Sequence, residues 1–203
     1  MSDGISYAAG KDRLAALRSR ISDLRREIRE VQGAIEPEQV ADHEFIGADG
    51  PVRLSNLFAG RRDLFVVHNM GASCPNCTLW ADGYNGVYRH LASRASFVVA
   101  SPDPTDIQRR LAEARGWRFP MVSDPGSAFA AAMGYVDAAG RPRPGVSAFQ
   151  LRDGAIFRVA DVGSEPLDDF CIVWHLFEML PGGADGWRAE PSEEAQASRA
   201  ARG

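Results

Sequence analysis

Cysteine is scarce in this chain, three in 203 residues, and so few thiols cannot staple a disulfide-rich secreted scaffold. Positive charge is not in excess: 23 Lys and Arg against 27 Asp and Glu leave a formal net charge of -4. With little to neutralise a run of phosphates, nucleic-acid binding is not expected. No apolar run is long enough to cross a bilayer, and Met1-Ser2-Asp3-Gly4 does not open a basic-then-apolar leader. A soluble, cytoplasmic protein without a membrane partner is the expectation. What is present, 45% apolar and 25% charged residues, suffices for one well-filled α/β core with an added arm.

The arm comes first. Leu14, Leu17, Ile21, Leu24, Ile28 and Val31 recur at alternating spacings of three and four, a narrow stripe on a helix that Gly33 is expected to end. Arginines and acids alternate over the rest of that helix, as on an element needing a partner along one seam. The stripe can pack on its own domain or on a second subunit. The strict repeat favours another long helix, so residues 11–32 are expected to form one continuous helix that mediates a homodimer. The domain boundaries expected are 1–35 for the arm, 36–183 for the main domain and 184–203 for a mobile tail rich in Gly, Glu, Ser, Ala and Arg.

Residues 36–60 read as linker and loop, with a turn at Asp49-Gly50 and a short strand at Val52-Arg53-Leu54. Leu64–His68 is an apolar, β-branched run of the kind buried on both faces of a parallel sheet. A glycine-containing loop, a helix through Trp80, Tyr84, Val87 and Leu91, and a second buried strand at Phe97–Ala100 complete a β-loop-α-β unit. Asp103 is expected to cap a helix beginning at Pro104 and ending at Gly116. Met121-Val122 reads as a strand, Asp124-Pro125 as the start of a small alanine-rich helix ending near Gly134, and Arg152-Asp153-Gly154 as the turn of a hairpin. The run from Asp168 to Leu180, apolar nearly all round, predicts a deeply packed last helix.

Two of the three cysteines stand in Cys74-Pro75-Asn76-Cys77, after a strand and at the start of a helix. There the unpaired amides and dipole of a helix N-terminus favour the thiolate of the first cysteine. Cys74 is the candidate nucleophile. Cys77, about one turn on and on the same face, is the candidate resolving thiol. Pro75 fixes a dihedral where no intrahelical amide is needed. The competing chemistry is half a zinc site completed by Cys171 and His175; those two lie far along the chain in an apolar segment, whereas structural zinc pairs close small loops, so no metal and no cofactor are expected. Cys171 itself reads as an inert core thiol.

The order strand, C-x-x-C, helix, strand, then Phe119-Pro120-Met121-Val122-Ser123-Asp124-Pro125, small helix and hairpin resembles the thioredoxin superfamily in its peroxiredoxin-like form. A closer resemblance is to a bacterial thioredoxin-like family of unknown function showing H-x-M, C-P-x-C-S/T-x-W-x-D and G-W-x-F-P. Here these are His68-Asn69-Met70, Cys74-Pro75-Asn76-Cys77-Thr78-Leu79-Trp80-Ala81-Asp82 and Gly116-Trp117-Arg118-Phe119-Pro120. The resemblance runs from about Asp42 to Leu180 and implies an α/β thioredoxin-like fold, a central mixed sheet flanked by helices. It departs from peroxiredoxins at P-x-x-x-T-x-x-C, where Val67 and Gly71 stand, and from thioredoxin at W-C-G-P-C, where Ser73 precedes the first cysteine.

Three further residues are candidates to support the thiols. His68, at the end of the first central strand, reads either as a proton acceptor or thiolate partner beneath the cysteine loop or as a hydrogen-bonded core histidine. Trp80 reads as core, and Asp82 as either solvated or an internal hydrogen-bond partner. The expected function is a thiol-disulfide oxidoreductase acting on a protein or small-molecule thiol or disulfide. The alternative is a non-enzymatic thioredoxin-like binding or redox-sensing module.

Overall fold

The computed structural model describes residues 4–190 and divides the chain into two units, Met1–Pro37 and Glu38–Gly203. The first is a single helix, α1 (Tyr7–Ala34), capped by Ser6, whose hydroxyl accepts the Ala9 amide at 3.3 Å. It is longer than the expected 11–32 at both ends. Gly33 does not end it; the chain turns extended at Ile35, φ -69 and ψ 128, two residues before Pro37, whose ring disfavours helical backbone at Glu36. No residue of α1 is buried.

The second unit is built on an eight-stranded sheet of order β1-β8-β7-β4-β5-β6-β2-β3. Its strands are β1 (Glu38–Val40), β2 (Glu44–Gly47), β3 (Gly50–Arg53), β4 (Asp63–His68), β5 (Ser96–Ser101), β6 (Met121–Ser123), β7 (Gly145–Arg152) and β8 (Ala155–Gly163). The helices are α2 (Leu54–Leu57), α3 (Pro75–Arg94), α4 (Thr105–Arg115), α5 (Ala128–Ala132) and α6 (Ile172–Phe177). Strands β4, β5 and β6 run parallel, while β7 joins β4 antiparallel. The sheet is therefore mixed.

Both faces of the central strands are covered, which is why their sequences are apolar without alternation. Leu64, Val66, Val98 and Ala100 face a cluster with Phe45, Phe58, Phe129, Phe149 and Tyr135. Val67, Phe97 and Val99 face the opposite cluster, with Trp80, Ala81 and Tyr84 of α3 and Trp117, Phe119 and Trp174.

Several sequence expectations give way. Residues 36–60 are not a linker: they hold β1, β2, β3 and α2 and deliver Phe45, Leu54 and Phe58 into the core, each at most 1% exposed. Strands of three or four residues are too short to show a period, so pairing alone reveals them. Leu54 begins α2 rather than continuing the strand. Asp103 does not cap α4; Pro104 holds that position. The last helix is short, and Ile172, Leu176, Met179 and Leu180 are more than half exposed, while Cys171 and Trp174 are buried. Its start is set by Asp168, whose carboxylate accepts the Phe170 and Cys171 amides at 3.0 and 3.2 Å, holding that stretch as a turn. Packing also runs past the expected tail boundary at 184, since Trp187 stands edge-on to Trp174 and Phe177 at centroid distances of 5.5 and 4.9 Å. The rest of that tail, 191–203, lies outside the described residues.

Candidate functional site

The cysteine motif begins where β4 ends. Asn69, the first residue past the strand, is fixed by its amide to the Ala100 carbonyl of β5 at 2.9 Å, and its side-chain oxygen accepts the Gly71 amide at 2.7 Å. Gly71 takes φ +102, a conformation that favours glycine, and its carbonyl accepts the Cys74 amide at 3.1 Å. This turn delivers Cys74 as the N-cap of α3, with Pro75 in the first helical turn.

The cap is made by sulfur. Cys74 Sγ accepts the Cys77 backbone amide at 3.1 Å, in the place a serine or aspartate oxygen occupies in an ordinary N-cap. Both thiols are free and buried, Cys74 9% exposed and Cys77 3%. A hydrogen bond from the Cys77 thiol, joined by the amides of Cys77 and Asn76, holds the Cys74 thiol below its ordinary range, although burial opposes this. The same thiol-thiol bond, with burial and the neighbouring Cys74 charge, pushes Cys77 far upward. Within a single helical turn the two thiols are thus driven apart, Cys74 downward and Cys77 upward.

The three supporting candidates separate. Trp80 is buried in the core on the α3 side of the sheet, its indole Nε1 donating to Asp168 Oδ1 at 3.2 Å. Asp82 is tied to the Gly116-Trp117 turn: it accepts Trp117 Nε1 at 2.8 Å and pairs with Arg115. The W-x-D and G-W-x-F-P segments are thus two halves of one contact between α3 and the end of α4. His68 points to the opposite face of the sheet, stacked on Tyr135 and Phe129 at 3.8 and 5.3 Å between centroids, with Nε2 2.9 Å from Ser147 Oγ. It is a buried core histidine on the face away from Trp80 and the buried side of α3, and desolvation together with Arg158 lowers its pKa to about 3.

Two residues at the site escape sequence reasoning. Asn69 lies inside the H-x-M motif without marking itself. Asp103 Oδ2 accepts the Ala72 amide at 2.7 Å. The one signal for the latter is topological, since the loops that follow adjacent parallel strands meet at the carboxyl edge of a sheet. Among the described residues no group of three or more His, Cys, Asp or Glu side chains is arranged to hold a metal ion, and no helix is long and apolar enough to cross a membrane.

The family model described as bacterial protein of unknown function (DUF899) matches residues 9–199. The chain belongs to this family. A search of the curated proteins gives no match. Among solved structures, this DUF899 member is similar to peroxidoxin BcpB from Mycobacterium tuberculosis, with a TM-score of 0.53 and 28% identity over 63% of this chain and 84% of that one. It is also similar to a PrxQ mutant from Xylella fastidiosa, TM-score 0.55 and 12% identity, covering 82% of this chain and 96% of that one. Reduced Prx3 from Vibrio vulnificus gives a TM-score of 0.51 at 19% identity, covering 66% and 89%. The fold is thioredoxin-like, as the strand and motif order implied.

Proposed function

We propose that this DUF899 protein is a thiol-disulfide oxidoreductase cycling Cys74 and Cys77 between dithiol and disulfide. The observation that carries the reading is the sulfur N-cap: Cys74 Sγ accepts the Cys77 amide and the Cys77 thiol, which favours the Cys74 thiolate. The Cys74 thiolate attacks one sulfur of a substrate disulfide, forming a mixed disulfide and expelling the other sulfur as a thiolate that takes up a proton. Cys77 then gives up its proton and attacks Cys74 Sγ. The Cys74–Cys77 disulfide forms as the second substrate thiolate leaves and is protonated. One substrate disulfide becomes two thiols, and an external dithiol restores the protein pair by the reverse exchange. We assign the cycle to the cytoplasm, where a reduced thiol pool would return the disulfide to the dithiol.

A second oxidant is favoured by the 28% identity with a peroxidoxin. A hydroperoxide would oxidise the Cys74 thiolate to a sulfenic acid, releasing water or an alcohol, and Cys77 would condense with it to the same disulfide, releasing water. Equilibrating the protein against graded dithiol/disulfide buffers and quantifying the Cys74–Cys77 disulfide by mass spectrometry tests the cycle. A reversible two-electron transition, lost in Cys77→Ala, is expected. Absence of any disulfide with either oxidant would leave the non-enzymatic binding module in its place.

The reading includes assembly. Leu14, Leu17, Ile21, Leu24, Ile28 and Val31 of α1 are 43–63% exposed, and each full burial contributes roughly 1.5–3 kcal/mol. A second copy of α1 is the partner we assign to that stripe.

A further inference from the structure

We propose that Asp103 is a positioning residue for the Cys74 thiol, its carboxylate holding the Gly71-Ala72 backbone and, through it, the N-terminal end of α3. The proposal rests on the oxidoreductase reading and adds a residue to that site.

Asp103 follows β5 in Ser101-Pro102-Asp103-Pro104. Prolines on both sides restrict the backbone that presents it. Its side chain, instead of capping the helix that follows, crosses to the loop after β4 and accepts the Ala72 amide at 2.7 Å. The approach is close. A Cβ on Gly71 would lie 2.8 and 2.9 Å from the two carboxylate oxygens, so a side chain at 71 would displace the carboxylate in addition to the strain at φ +102.

The consequence for Cys74 is direct. Asn69 takes the Gly71 amide and Asp103 the Ala72 amide, so consecutive N–H groups are gripped from the ends of two neighbouring parallel strands. The carbonyl of Gly71, between them, accepts the Cys74 amide at 3.1 Å. Cys74 is extended, φ -96 and ψ 104, and only with its backbone anchored there does Sγ turn back over the first turn of α3 to the Cys77 amide. Burial alone would push this thiol toward its neutral form, so a loosened cap shifts it upward.

The test is the pH profile of iodoacetamide alkylation at Cys74 in the full chain, read by peptide mass spectrometry for wild type, Asp103→Ala, Asp103→Ser and Asp103→Asn. Loss of one such hydrogen bond is expected to slow alkylation of Cys74 near neutral pH roughly fivefold and move the midpoint upward in the Ala and Ser variants. Asn keeps an oxygen acceptor and should restore the rate to within about twofold. A role as a nearby negative charge gives the opposite pattern, with alkylation faster in all three, and that overturns the proposal, as does an unchanged profile in Asp103→Ala. If Asp103→Ala does not fold, Asp103→Ser carries the comparison. Failure of the redox reading is separate: it appears as a wild-type protein that forms no Cys74–Cys77 disulfide, while the alkylation profiles still report on the clamp.

Discussion

The indole Nε1 of Trp117 donates to Asp82 Oδ1 at 2.8 Å, joining residues 35 apart in sequence. Arg115 pairs with the same carboxylate, so one acidic side chain of α3 holds both Arg115 and Trp117 at the end of α4. The same helix presents Cys74 at its start, and Asp82 is two turns from that thiol. We therefore assign Asp82 to holding the helix in place rather than to sulfur chemistry.

Asp82→Ala should accordingly cost stability and spare reactivity. Leaving Trp117 Nε1 without its acceptor is expected to cost about 1–3 kcal/mol, while the Arg115 pair, a third exposed on each side, adds little. Urea unfolding measures the loss. The ratio of Cys74 to Cys77 alkylation should stay at the wild-type value, and a large fall in that ratio would return Asp82 to the reactive site.

Cys74 should be alkylated before Cys77 and Cys171. Its thiol is held low by the Cys77 thiol and amide, whereas burial and the Cys74 charge raise Cys77, and burial raises Cys171. The Cys74 rate should climb with pH through a midpoint below the ordinary thiol value, with the other two silent at neutral pH. Peptide mapping after brief labelling from mildly acidic to mildly alkaline pH decides this; slow, equal labelling of all three would remove the nucleophile assignment.

His68 makes stability depend on acid. Its folded pKa is lowered from 6.5 to about 3, so the native state holds it neutral while the unfolded chain binds a proton below 6.5. The contribution is present above the unfolded value and lost as pH falls toward the folded one. At about pH 5 the loss relative to neutral amounts to about 2 kcal/mol. In His68→Asn, the difference in unfolding free energy between neutral pH and about pH 5 should shrink by that amount; equal acid sensitivity in both proteins would refute the assignment.

The assembly assigned to α1 predicts a dimer. Light scattering of the full chain at micromolar concentration should give twice the chain mass, and Ile21→Asp with Leu24→Asp should give the monomer by placing charge in the seam. A full-length monomer would show that α1 finds its partner elsewhere.

The central strands, the cysteine motif and its helix, and the α1 stripe were all readable along the chain, because each is a run of residues whose period or spacing carries the information locally. Leu64–His68 announced a strand covered on both faces, and Cys74-Pro75 announced a helix start. Tertiary structure alone decided where side chains without a period go. Asp103 had the composition of a helix cap, yet it takes the Ala72 amide in the neighbouring strand's loop at 2.7 Å. His68 stood next to the motif, but the alternation of β4 sends it to the other face, against Tyr135 and Ser147. Asp168 holds the Phe170 and Cys171 amides in a turn ahead of the last helix and accepts Trp80 Nε1 from α3 as well. For Asp103 and His68 the partner that counts is distant in sequence, and only the packing of the sheet brings it within reach.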